Sequence, residues 1–124
     1  MAAPNIVNVT AIYGKTTYLT PSNTTSNVLL ANSAASGKVL KINQIVAANV
    51  NGTNAVDCTV SINSAAAGSG TSYPITSTVS VPADATLIVA DKTTAIYLEE
   101  DKSIVVTSGT ASGITYSISY EEIN

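Results

Sequence analysis

The densest group of reactive side chains is Glu99-Glu100-Asp101, three carboxylates in succession. Closely spaced carboxylates can coordinate calcium. Neighbours at a strand end point in different directions, however, and no Asp-x-Asp-x-Asp-Gly loop is present. The run therefore reads as a solvated hairpin turn that also discourages unwanted edge pairing. Glu121 and Glu122 form a second acidic pair, suited to a basic partner surface and placed in a short acidic tail over 121–124. A glycosidase needs two carboxylates at a defined separation across a cleft, and the spacing of Asp57, Asp84 and Asp91 supplies no such pair. Cys58 is the single cysteine, so no intrachain disulfide can form. With no histidine to serve as its base, it reads as a small apolar core residue and not as a nucleophile.

Composition narrows the function classes. The 124 residues include no His, Trp or Phe, and the basic residues are the scattered Lys15, Lys38, Lys41, Lys92 and Lys102. Most catalytic constellations draw on His, Arg, Cys or a tight group of acids, so an enzyme is not expected, nor a cofactor or a metal. A net charge of −3 with no basic stripe argues against nucleic acid. No apolar run reaches membrane-spanning length. The segment Met1 to Asn5 lacks the positive and apolar regions of a secretory signal, and the absence of disulfides fits synthesis in a reducing cytoplasm. A weakly charged surface rich in Ser, Thr and Asn suits a protein covered by neighbours in an assembly.

The elements that must position these residues are strands. Short alternating runs separated by turn residues recur at roughly ten-residue spacing, the pattern of a β-sandwich or barrel. Runs are expected over 6–11, 12–19, 26–31, 38–50, 56–63, 73–81, 86–90, 95–98, 103–108 and 114–120. The stretch 38–50 is the strongest, with Leu40, Ile42, Gln44, Val46, Ala48 and Val50 expected on the core face by period-two alternation. Asn51-Gly52 predicts a tight hairpin returning into 56–63 as the partner strand. Thr86 to Ala90 is short and apolar throughout. Residues 64–71 read as a mobile low-complexity loop. The expected fold is a single-domain antiparallel β-sandwich of about eight strands, jelly-roll or Greek-key like, favoured over a meander barrel. Candidate partner contacts are Pro4 and Asn5 in an N-terminal arm over 1–5, Ala66 and Gly68 in the loop, Glu99, Glu100, Glu121 and Glu122. Tyr116 and Tyr120 join them, because tyrosine anchors interfaces with an apolar ring and a polar tip.

Several blocks together carry a resemblance: Met1-Ala2-Ala3-Pro4-Asn5-Ile6-Val7-Asn8-Val9, Ser36-Gly37-Lys38-Val39-Leu40-Lys41-Ile42-Asn43, Asn51-Gly52-Thr53-Asn54-Ala55, Val79-Ser80-Val81-Pro82-Ala83-Asp84-Ala85-Thr86-Leu87, Ile96-Tyr97-Leu98-Glu99-Glu100-Asp101-Lys102-Ser103-Ile104 and Ser119-Tyr120-Glu121-Glu122-Ile123. In this order and spacing the chain resembles small virion structural proteins of tailed bacteriophages, of the kind common among phages of cyanobacteria. The resemblance implies a non-enzymatic all-β particle component made in the host cytoplasm. Its expected role is a capsid decoration or cement protein on the capsid exterior, with the major capsid protein and copies of itself (a homotrimer or homodimer) as partners. A tail, neck, baseplate or fibre component, or a host-surface carbohydrate-binding module, are the alternatives. Such relatives carry Gly after the acidic pair, where this chain has Asp101.

Overall fold

The computed structural model describes residues 4–124. The strands are β1 (Ile12–Leu19), β2 (Asn27–Asn32), β3 (Val39–Asn49), β4 (Val56–Asn63), β5 (Ser72–Val81), β6 (Thr86–Ala90), β7 (Ile96–Leu98), β8 (Lys102–Ser108) and β9 (Ile114–Ile123). Two antiparallel sheets result, ordered β1-β9-β3-β6 with β7 also on β3, and β2-β8-β4-β5. The pairing is nested: β1 with β9, β2 with β8, β3 with β6 and β7, β4 with β5. This is the connectivity of a jelly roll. A short 3-10 turn at Lys92–Thr94 splits β6 from β7, and the two together fill one strand position, which reconciles nine strands with the expected eight.

Three expectations about this frame are corrected. Residues 6–11 form no strand; a turn closes at Asn5, whose carbonyl accepts from the Asn8 N–H at 3.1 Å. The Asn51-Gly52 turn is no hairpin, because β3 and β4 lie in different sheets. It is an arch between the layers, shaped by the Asn51 side chain accepting from the Thr53 and Asn54 N–H groups, and Gly52 is not among the positive-φ glycines. The core face of β3 switches parity. Its register against β9 shifts between Ile42 and Gln44, where Asn43 and Gln44 together oppose Ser119. The extra residue of such a bulge moves every later side chain to the other face. Leu40 and Ile42 point inward as expected, but beyond the bulge Ile45, Ala47 and Asn49 are buried, whereas Gln44 and Val50 are exposed and Val46 and Ala48 half-exposed.

The core between the sheets is aliphatic, built on Ile42, Ile45, Val60, Ile104, Val106 and Ile118. Its largest fully buried side chain is Tyr116. A buried phenol needs a partner, and Tyr116 on β9 donates to the Thr107 carbonyl of β8 at 2.7 Å, joining the two sheets. Cys58 is buried here as well. Burial pushes its thiol up and the Tyr116 phenol far up from their ordinary values.

Three consecutive strands end in buried asparagines. Asn32 donates to the Lys38 and Leu98 carbonyls, both at 3.0 Å, and accepts from the Ser36 hydroxyl. Asn49 donates to the Asn54 and Val81 carbonyls and accepts from the Asn51 N–H. Asn63 donates to the Gly70 carbonyl and the Ser72 hydroxyl and accepts from the Ala65 and Gly70 N–H groups. Each amide thereby satisfies backbone groups that a loop would otherwise bury unpaired. Replacing Asn49 or Asn63 by Ala is expected to cost about 2–3 kcal/mol each, against almost nothing for Asn8→Ala on the exposed N-terminal turn. Urea denaturation of the three variants checks this; equal midpoints would remove the asparagines from the framework.

Candidate interaction surface

The outward faces of the two sheets are finished differently. On the four-stranded sheet, Asn63, Ser103 and Val105 are buried although they point away from the core. The loop 64–71 lies over them: Ser103 donates to the Ala65 carbonyl at 2.7 Å, the Ala66 N–H donates to Asp101, and the Thr71 N–H donates to the Ser64 hydroxyl. Gly68 sits at φ +76°, and a Cβ there would lie 2.9 Å from Val28 Cγ2 and 3.3 Å from Val105 Cγ1. Only glycine adopts this conformation in this space without strain. The loop expected to be mobile is thus tied at both ends and seated on its own sheet.

The outer face of the five-stranded sheet has a cover at one end only. Pro4 and Ile6 line an open pocket with Val39 and Tyr97 there, and Val39 and Ile123 are buried. Beyond this end the surface is bare. One row crosses four strands as Tyr18, Ser117, Val46 and Ile88, and the next holds Thr115, Ala48 and Thr86. The Thr20 and Thr115 hydroxyls share a 2.8 Å hydrogen bond beside it. Tyr18 is 75% exposed, Ile88 58% and Val50, just past the end of β3, 53%. No charged residue lies in these rows. Interface cores are likewise depleted of charge and enriched in aromatic residues.

The bulge in β3 and the 3-10 turn face each other across the same surface. They frame an open pocket of about 510 Å³ lined by Asn43, Gln44, Asp91, Lys92, Thr93 and Ser119. Asp91 caps the turn by accepting from the Thr93 N–H and hydroxyl. The Thr93 hydroxyl bond, seconded by its N–H, holds the Asp91 carboxyl below the usual carboxylate range.

The expected contact residues are dispersed over this frame. Tyr116 is corrected: it is core, 0% exposed, and no partner can reach it. The acidic tail is corrected too, because β9 runs on to Ile123 and Asn124 exchanges backbone hydrogen bonds with Ala11. Glu122 is not free for a partner. It points into the end of the sandwich, where Lys38 Nζ at 3.0 Å and Lys15 Nζ at 3.2 Å both hold it. The Lys38 hydrogen bond, followed by that of Lys15, lowers its carboxyl from the ordinary value despite opposing burial. Tyr120 packs against the core and lines a small polar pocket with Glu122 and Lys38. Glu121 lies half-buried on the outer face opposite Lys41. Ala66 and Gly68 are half-buried under the constraints above, Pro4 is half-buried beside the pocket it shares with Val39, and Asn5 is exposed. Residues 1–3 of the arm lie outside the described residues. Glu99 is solvated beside Lys102 at 3.7 Å. Both Glu100 oxygens are shut off from solvent without a hydrogen-bond partner. The acidic turn arches between sheets instead of closing a hairpin, and Asp101 takes φ +56° there, a left-handed position that glycine fills most easily. Among the described residues no group of three His, Cys, Asp or Glu is placed to hold a metal.

Sequence reasoning missed Tyr18, Val46, Val50 and Ile88. One signal was available: an apolar run such as 86–90, placed in a sandwich with one inward face, must show an apolar side chain to the outside. Compared with known proteins, the chain matches no family model, no curated protein and no solved structure.

Two outcomes follow from this geometry. Gly68→Ala is expected to cost about 1–3 kcal/mol through left-handed strain and contact with Val28, and a thermal melt unmoved by it would show that the loop is not seated. The folded Glu122 carboxyl titrates below its ordinary value of 4.5, so its ion pairs stabilise fully above that value and lose their contribution as pH falls through the folded one. Glu122→Gln should therefore flatten the acid limb of stability against pH, measured by urea midpoints from about pH 3 to pH 7. An unchanged acid limb would assign that limb to other carboxylates.

Proposed function

We propose that this chain is a non-catalytic structural component of a phage particle, a decoration or cement protein on the capsid exterior. The observation that carries the reading is the bare, uncharged row Tyr18, Ser117, Val46 and Ile88 on one sheet. On the opposite sheet the loop 64–71 lies over Ser103 and Val105. A flat apolar-and-hydroxyl face of this kind is suited to lying across a seam between capsid subunits. Each contact contributes modestly, and many copies multiply the effect over a shell. The resemblance to small phage virion proteins supports the same reading, as does the lack of histidine and arginine for chemistry.

Counting copies in purified particles by quantitative mass spectrometry tests it. A cementing role requires copies in proportion to the major capsid protein, on the order of hundreds over the shell. A few dozen or fewer would move the protein to the tail, neck, baseplate or fibres. Ile88→Glu, a charge set in the middle of the bare row, is expected to leave the fold intact and to abolish incorporation, and particles without the protein should lose integrity at lower temperature. Normal incorporation of the Ile88→Glu protein would exclude this face as the docking surface.

A second reading rests on the pocket at the bulge. Its amide, hydroxyl and carboxylate groups, Asn43, Gln44, Thr93, Ser119 and Asp91, are of the kind that bind sugar hydroxyls, which favours a host-surface carbohydrate-binding module. Saturable binding in a glycan array, lost in Asn43→Ala, would support it over cementing.

A further inference from the structure

Edge strands offer unpaired backbone groups, and native sheets protect them with bulges, proline, short length or exposed charge. Three edges of this sandwich are protected. On the five-stranded sheet, β6 and β7 are short and split by the 3-10 turn. On the other sheet, β2 shifts register between Val28 and Leu30. The edge β5 contains Pro74, shifts register twice against β4 and holds Thr78 at φ +46°. The fourth edge, β1, has no bulge, no proline and is not short. It pairs with β9 through eight consecutive residues without a shift, contains no proline and no positive-φ residue, and is mostly exposed. Its one charge, Lys15, remains 47% exposed and is engaged by Glu122 at 3.2 Å.

We infer that β1 is an interface between two copies of this chain, joined antiparallel edge to edge about a two-fold axis centred on Thr16. The symmetry permits few registers. A two-fold normal to the sheet sets a residue opposite its own copy, and maximal overlap of Ile12–Leu19 leaves Lys15 or Thr16 at the axis. Lys15 would oppose Lys15, and like charges directly opposite are destabilising. With Thr16 at the axis, Thr16 meets Thr16, a favourable hydroxyl pair. Lys15 then meets Thr17, and Tyr13 meets Leu19 on the inner side. On the outer side Tyr18 of each copy meets Gly14 of the other. The space over Gly14 is empty, since a Cβ there would find nothing within 4 Å, and Tyr18 is the most exposed aromatic of the chain, at 75%. A tyrosine ring laid over a facing glycine covers the backbone that glycine leaves bare. The two five-stranded sheets then continue as one, and the uncharged rows of both copies form one surface. Such a pairing is isologous and closes at two copies. It forms whether or not the protein belongs to a virion.

Analytical ultracentrifugation of the full chain tests it, together with thiol cross-linking. The wild type is expected to sediment as a dimer, and Thr16→Lys, which sets two lysines at the axis, as a folded monomer by circular dichroism. Opposed residues of antiparallel strands lie within disulfide reach. Thr16→Cys should therefore form a covalent dimer on mild oxidation, whereas Ser117→Cys, off the axis on the same face, should not. Cys58 is buried and does not compete. A monomeric wild type, an oligomer unaffected by Thr16→Lys, or cross-linking through Ser117→Cys in place of Thr16→Cys would overturn the edge-to-edge dimer.

Discussion

The fold depends on satisfying the backbone where the chain leaves one sheet for the other. In a jelly roll most connections cross between layers, so the ends of the sandwich collect carbonyl and N–H groups with no strand beside them. Here buried asparagines at the ends of β2, β3 and β4 take up those groups. Asn32 ties the β2–β3 loop to the end of β7, and Asn49 ties the β3–β4 arch to the end of β5. Asn63 instead folds the β4–β5 loop, which stays within a sheet. An asparagine amide both donates and accepts, so a single side chain can serve two loops at once. Asp and Leu side chains cannot, and a Ser hydroxyl has one donor where the Asn amide has two.

With its ends fixed in this way, the sandwich manages with a light core. The chain has no Phe or Trp, and Tyr116 is the only aromatic that is fully buried, bonded across to the Thr107 carbonyl. The neighbouring Cys58 is inert for the same reason that it is buried: without solvent or a base its thiolate is disfavoured. At one end Glu122 collects two lysines from β1 and the β2–β3 loop, and the acidic pair that looked solvated in sequence is half structural.

The finish of the two sheets gives the molecule its polarity. One face is covered at one end by the loop 64–71, whose glycine and hydroxyl residues let it lie against Val28 and Val105. The other keeps Tyr18, Val50 and Ile88 in solvent and adjoins the one edge strand without a protective irregularity. A bare face and an edge without irregularity thus lie on the same sheet.

The sequence by itself determined the all-β class, nearly every strand from β1 to β9, the places of the turns between them and the burial of Cys58. These follow from local alternation and turn chemistry, which act over a few residues. Tertiary structure alone decided the partners. The Asn51-Gly52 turn looks locally like a hairpin, but β3 pairs with β9, β6 and β7, contacts that no local signal encodes. A single bulge at Asn43 and Gln44 reversed the inward parity of the strongest strand, and period-two reading has no means of placing a bulge. The same limit hid the site: Tyr18 and Ile88 are far apart in the chain and become one row only when β9 and β3 are set between them.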